Sequence, residues 1–220
     1  MKKTLVACTA IAALSLSLAA CGQQTDDRVS QGASSVPSIA SEAPMSAPAS
    51  AEASSVQSQV AAATPFVTVD CVSMQVMPTD TPPASGTTIG AVTALMQPNG
   101  APSITVATDA QPATELGIAD IKEGSGPAVA AGDTVTANYC GVGLGGKTVF
   151  DSSYSRGAPA TFPLTGVIPG WQEGVPGMKV GGSRLLVIPG ALAYGANPPA
   201  GAGIGPDETL IFVVELTAIG

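Results

Sequence analysis

Pro169-Gly-Trp-Gln-Glu-Gly-Val-Pro-Gly-Met178 is the stretch whose reading decides the fold. Trp171, Val175 and Met178 stand at i, i+4 and i+7, the spacing of one apolar helical face. Gly174 and Pro176 oppose helix continuation, so the helix must be short. On both sides of it the pattern turns to strands. Upstream, Asp133-Thr-Val-Thr-Ala-Asn-Tyr-Cys140 alternates: Val135, Ala137 and Tyr139 face one way, Thr134, Thr136, Asn138 and Cys140 the other. That is a half-buried antiparallel strand. Downstream, Leu185-Leu-Val-Ile188 and Leu210-Ile-Phe-Val-Val-Glu-Leu216 are more continuously apolar and suit central strands. Ile118-Ala-Asp-Ile121 and Ala160-Thr-Phe-Pro-Leu164 are shorter candidates. Strands, one short helix, then more strands predict an α+β fold, a helix packed on an antiparallel sheet.

The aromatic residues concentrate in the same region. Of eight, only Phe66 lies outside the span from Tyr139 to Phe212. Several adjoin a charge or a glycine: Phe150-Asp151, Gly170-Trp171, Tyr194-Gly195. Tyrosine and tryptophan carry polar groups that buried positions must satisfy. The set therefore reads as a core that also walls a site.

Composition excludes several chemistries. The chain of 220 residues has a net charge of −8 and no histidine. Without Lys2 and Lys3, six basic residues face sixteen acidic ones. No basic stripe exists to neutralise phosphates, so nucleic acid is not an expected partner. The missing histidine removes Ser-His and Cys-His catalysis and the commonest metal ligand. Four cysteines remain. Cys8 and Cys21 belong to the amino-terminal segment, and Cys71 and Cys140 alone are too few for a zinc site. No metal and no cofactor is expected.

The amino terminus reads as an address. Lys2-Lys3 precedes an apolar run, residues 5–18, which ends in Leu18-Ala-Ala-Cys21. The run is shorter than the ~20 residues of a membrane span. It resembles the lipobox of bacterial lipoprotein signal peptides, which implies removal of residues 1–20 and a lipid on Cys21. The mature chain would then be anchored on the extracytoplasmic side of a membrane, where disulfides persist. Residues 22–64 hold no aromatic residue and are rich in Ser, Ala, Gln and Pro. Such a segment buries too little apolar surface to offset chain entropy, so 21–64 is read as a disordered tether. Residues 65–114 form an extension, with two or three short strands. Phe66-Val-Thr-Val69 and Ser103-Ile-Thr-Val106 are candidates, and Pro98-Asn-Gly100 is a turn signal.

Residues 115–220 resemble the FKBP-type peptidyl-prolyl isomerases. The matching segments occur in family order. They are Gly132-Asp133 with Tyr139, Val149-Phe-Asp-Ser-Ser153, and Val167-Ile-Pro-Gly-Trp-Gln-Glu-Gly174. Gly177-Met-Lys-Val-Gly181, Ile188-Pro189 with Leu192-Ala-Tyr-Gly195, and Thr209-Leu-Ile-Phe-Val-Val-Glu-Leu216 complete them. The resemblance implies a twisted antiparallel sheet wrapped around one short helix, with an apolar pocket between. Its catalytic set would be Tyr139, Asp151, Ile168, Tyr194 and Phe212, with Phe150, Phe162, Val167, Trp171 and Ile204 binding substrate. Trp171 would be the floor. The Ile168 N–H and Tyr194 hydroxyl would bond peptide carbonyls, and Arg156 and Tyr139 would partner Asp151. The resemblance departs at Ala160, where the family often carries an aromatic, and in the loop 196–207 around Ile204.

What the resemblance implies is an isomerase for X-Pro bonds of exported polypeptides, working without covalent or acid-base chemistry. The alternative is a non-catalytic module holding Pro-containing partners in the same pocket. No oligomer signal is present, so a monomer is expected. Cys140 faces away from Tyr139, where the extension could cover it. In an oxidising compartment Cys71 and Cys140 are expected to pair; the alternative is two free thiols.

Overall fold

The computed structural model describes residues 65–220. The expected signal segment, the expected lipid attachment at Cys21 and the expected tether fall outside the described residues. Two antiparallel sheets account for most of the rest. The first is built from β1 (Phe66–Asp70), β2 (Val76–Thr79), β3 (Thr87–Ile89), β4 (Val92–Met96) and β5 (Pro102–Ala107), in the order β2-β1-β5-β4-β3. The extension therefore carries five strands where two or three were expected. The Pro98-Asn99-Gly100 turn joins β4 to β5: Gly100 takes φ +82° and Asn99 Oδ1 accepts the Ala101 N–H at 3.0 Å. β2 gave no alternation signal because three of its four residues are exposed and it holds Pro78.

The second sheet contains β6 (Gly117–Lys122), β7 (Thr134–Gly143), β8 (Thr148–Ser152), β9 (Ala160–Pro163), β10 (Ser183–Ile188) and β11 (Leu210–Ile219). Its order is β6-β10-β11-β7-β8, with β9 also on β7. The ten-residue β7 thus shares one edge between two strands: β9 pairs its first half and β8 its second. Two short helices, α1 (Ser153–Arg156) and α2 (Pro169–Gly174), complete the domain. One helix was expected; α1 is a single turn after β8, capped by Ser152.

The second sheet is the middle layer. One face, with Val135, Ala137, Tyr139, Leu186, Ile188, Phe212 and Val214, packs on α2 and its flanking loops. The other, with Cys140, Val142, Leu185, Val187, Ile211 and Val213, packs on Val69, Val92, Ile104 and Val106 of the first sheet. Both faces of β10 and β11 are dry, which is why their sequences are continuously apolar. Each fully buried aliphatic side chain contributes roughly 1.5–3 kcal/mol, so the first sheet is a structural layer of the fold.

The helix α2 is shorter than the i, i+4, i+7 spacing suggests. It ends at Gly174 because Pro176 has no N–H for the Gln172 carbonyl, and Gly177 then turns with φ +84°. Val175 and Met178 are still buried, brought to the same core by the turn. Gly170 and Gly174 set how closely α2 lies on β10. A Cβ there would sit 2.4 Å from Ile188 Cγ2 or 2.8 Å from Leu186 Cδ2.

Candidate active site

A pocket of about 270 Å³ opens between α2 and the second sheet. Its walls are Tyr139 from β7, Phe150 and Asp151 from β8, Phe162 from β9 and Phe212 from β11, with Gly166, Val167, Ile168, Trp171 and Tyr194. Nine of the ten residues predicted for catalysis and substrate binding line it. Ile204 does not: it packs partly buried against the same core cluster. Its loop has Gly203 on one side and Gly205 on the other, and Glu208 rather than Ile204 organises that segment, accepting the Gly205 N–H at 2.6 Å. Ala160 also packs on the core and is not a pocket wall; Phe162, two residues on along β9, takes that side.

Trp171 is the hub. It sits at the N-terminal turn of α2, with Pro169 opening the helix. Three rings stand edge-on to it: Phe212 at 5.3 Å, Phe162 at 5.7 Å and Tyr139 at 5.8 Å. Phe150 stands edge-on to Phe212 at 5.5 Å. Such T-shaped pairs each add roughly 0.5–1.5 kcal/mol beyond burial and fix ring orientation. The buried indole N–H has no acceptor among the described residues.

A polar triad closes one side. The Tyr139 hydroxyl donates to Asp151 Oδ2, and Arg156 Nη1 donates to Asp151 Oδ1. Arg156 Nη2 donates to the Tyr139 oxygen at 2.7 Å, and the guanidinium lies 5.5 Å from the Tyr139 ring centroid. The Asp151 and Arg156 side chains are 41% and 48% exposed. A pair so wet adds little to stability. What it supplies is a fixed phenol and carboxylate beside an apolar cavity. Burial, then the bond to Asp151, raises the Tyr139 pKa; hydrogen bonding to Asp151 raises that of Arg156.

Phe150 and Asp151 are consecutive yet both line the pocket. In a regular strand they would face opposite sides. The β7–β8 register explains it: Gly141 pairs with Asp151 and Val142 with Val149, leaving Phe150 as an unpaired bulge. Bulges re-aim side chains beside active sites. Gly141, not singled out from sequence, is the other half of this arrangement. A Cβ there would lie 2.5 Å from Phe150 and 2.8 Å from Phe212. A glycine inside an otherwise alternating strand is the signal that could have found it.

Two further features bear on ligand binding. The Ile168 carbonyl accepts from Trp171 N–H and Gln172 N–H, while its own N–H has no partner among the described residues. Tyr194 is 38% exposed, and burial followed by the Asp151 charge raises its pKa. No group of three or more His, Cys, Asp or Glu residues capable of holding a metal occurs among the described residues. No helix among them is long and apolar enough to cross a membrane.

On β7's other face, Cys140 is joined to Cys71, with Cα atoms 5.8 Å apart. Beside it, Tyr154 of α1 donates to Glu215 Oε2 at 3.2 Å. Burial first, then the Glu215 charge and this bond, push the Tyr154 pKa far up. An unfolded tyrosine ionises near pH 10. The raised folded value means this contribution to stability is complete below about pH 10 and is lost as pH rises through the folded value. Melting temperature should therefore fall from about pH 10 to 12. Tyr154→Phe should flatten that fall; an unchanged slope would show that Tyr154 is not the group responsible.

The family model described as FKBP-type peptidyl-prolyl cis-trans isomerase matches residues 126–217. The "FK506-binding protein" of Streptomyces anulatus is 50% identical over 111 residues, which span 50% of this chain and 90% of that protein. The "FKBP-type peptidyl-prolyl cis-trans isomerase FkpA" of Escherichia coli K12 is 52% identical over 97 residues, 44% of this chain and 34% of that one. The crystal structure of FkpA from Escherichia coli overlays with a TM-score of 0.44 at 48% identity, covering 48% of each chain. The chain belongs to the family of FKBP-type peptidyl-prolyl cis-trans isomerases, enzymes of class EC 5.2.1.8.

Proposed function

We propose that this chain isomerises X-Pro bonds in exported polypeptides, as a monomer held by a lipid on Cys21 to the extracytoplasmic side of a membrane. The Trp171 hub carries the isomerase reading: an apolar cavity with edge-on aromatic walls and a phenol–carboxylate pair on one side.

The chemistry needs no proton transfer. The barrier to rotation, about 18–20 kcal/mol, comes from amide resonance. That resonance is dipolar, so water favours the planar states. Rings that strip water from the X-Pro amide remove part of this advantage. The Ile168 N–H and Tyr194 hydroxyl hold neighbouring carbonyls and favour the twisted geometry. Uncatalysed exchange takes on the order of tens to hundreds of seconds, slow enough to limit folding.

The test measures isomerisation of an Ala-Leu-Pro-Phe peptide. Asp151→Val and Phe212→Ala should each lower kcat/KM by about tenfold or more, the equivalent of ~1.4 kcal/mol. A wild type no faster than these variants would sink the enzyme reading and leave the pocket as a non-catalytic site for Pro-containing partners.

The anchor has its own test. The Leu18-Ala-Ala-Cys21 pattern supports it, and so does the Cys71–Cys140 bond, because disulfides persist in oxidising compartments. Cys21→Ser should move the protein from the membrane to the soluble fraction of an expressing bacterium. A wild type that keeps residues 1–20 and remains soluble would end this reading.

A further inference from the structure

The feature that links the extension to the pocket is the back of the β7–β8 pair. Cys140 and Ser152 stand directly opposite each other across these strands. Both are buried and both meet Cys71: Cys140 through the disulfide, Ser152 by donating its hydroxyl to the Cys71 carbonyl at 2.7 Å. Their chain neighbours are Tyr139 and Asp151, whose side chains meet on the pocket side. One residue of the turn that follows β1 thus grips both strands one position from the two polar groups of the site. The grip is itself fixed. Asp70 Oδ1 accepts the Val72 N–H at 3.0 Å, the Ser73 N–H at 2.7 Å and the Ser73 hydroxyl at 2.8 Å, closing the turn that carries Cys71.

Such a grip matters here because the local ladder is interrupted. β8 is bulged at Phe150, so Asp151, paired with Gly141, continues in regular register only on its Ser152–Cys140 side. A β7–β8 shift of a fraction of an ångström would lengthen the phenol–carboxylate bond. We propose that Cys71 is a positioning residue of the isomerase site: its disulfide to Cys140 and its carbonyl bond from Ser152 hold β7 and β8 in the register that brings Tyr139 to Asp151. This rests on the reading of Tyr139 and Asp151 as site residues. It makes the extension a determinant of turnover, with no substrate contact of its own.

The test compares three variants of the full chain. Ser152→Ala removes the carbonyl bond, and with it the weak α1 cap to the Ser155 N–H at 3.4 Å, and keeps the disulfide. Cys71→Ala with Cys140→Ala removes the disulfide. Ile104→Ala weakens the first sheet's core without touching Cys71. Each is assayed well below its melting temperature for isomerisation of the Ala-Leu-Pro-Phe peptide. Tyr139 is followed separately by NMR titration of its ring carbon. We expect kcat to fall about threefold in Ser152→Ala and about tenfold in the double variant, with KM within twofold of wild type, since the apolar walls stay. In both, the Tyr139 titration should move toward that of an ordinary tyrosine. Ile104→Ala should lower the melting temperature and leave kcat and the titration alone. Overturning results are a Ser152→Ala or double variant that melts lower but keeps wild-type kcat and Tyr139 titration, or an Ile104→Ala variant that changes both. The titration needs no turnover, so it judges the grip even if the peptide assay fails for every form.

Discussion

Trp171→Ala should cost about 3–5 kcal/mol of stability, the range for truncating a buried large aromatic. The indole is almost fully buried and holds Tyr139, Phe162 and Phe212 by their edges. Its loss leaves a void the glycine-lined face of α2 cannot refill. Against a total of about 5–15 kcal/mol, this is roughly a fifth of the stability or more. Urea unfolding should show it as a lower midpoint with an unchanged slope. Isomerisation should fall further than in any single wall variant, about 100-fold in kcat/KM, because three walls lose their orientation together. Trp171→Phe keeps a ring at the floor and should recover most of the stability. A Trp171→Ala protein within about 1 kcal/mol of wild type would show that the hub is not what orders these rings.

Removing the disulfide is the second large effect. Cys71 and Cys140 are 69 residues apart in sequence. Releasing a loop of that length restores entropy to the unfolded chain worth about 4 kcal/mol in the chain-entropy account. For a folded region of this size the melting temperature should drop by roughly 8–16 °C. The replacement is best made with alanine at both positions. The site is dry, and a serine would bury a hydroxyl costing about 1–3 kcal/mol if unpaired. A loss below 1 °C on removing both sulfurs would mean that the unfolded chain is not constrained by this link.

The second sheet was legible because its strands meet different environments on their two sides. Val135, Ala137 and Tyr139 alternate with polar neighbours along the first half of β7, and β10 and β11 carry unbroken apolar runs. What those runs could not tell is the identity of the second cover. That cover is the first sheet, and its strands are poor advertisements. β3 has three residues, β2 is mostly exposed and contains Pro78, and β4 lies immediately ahead of a turn that was recognised without it. Of the site, the aromatic set was visible as a cluster in sequence and the resemblance ordered it. The bulge at Phe150 was not visible, because it is a property of register between two strands. Ile204 packs on the core cluster without lining the pocket: its loop of glycines and prolines carries no period to anchor a side chain, and Glu208 ties that loop through the Gly205 N–H. The helix was expected to be short because of Gly174 and Pro176, and it ends at Gly174; burial of Val175 and Met178 mimics helical spacing across a proline-broken turn.

The strand order has a bearing on how the molecule is made. β11 lies between β10 and β7, yet it follows every other strand of that sheet in the chain. Until it emerges, β6–β10 and β7–β8–β9 are two pieces with no shared hydrogen bonds, each exposing apolar edges. The sheet must therefore close late, over large sequence separations, which is the slow regime of folding. During synthesis the unfinished domain would be open to aggregation or capture by chaperones for as long as the last strand is withheld. Completion of a peptidyl-prolyl isomerase domain would thus depend on delivery of a single late strand.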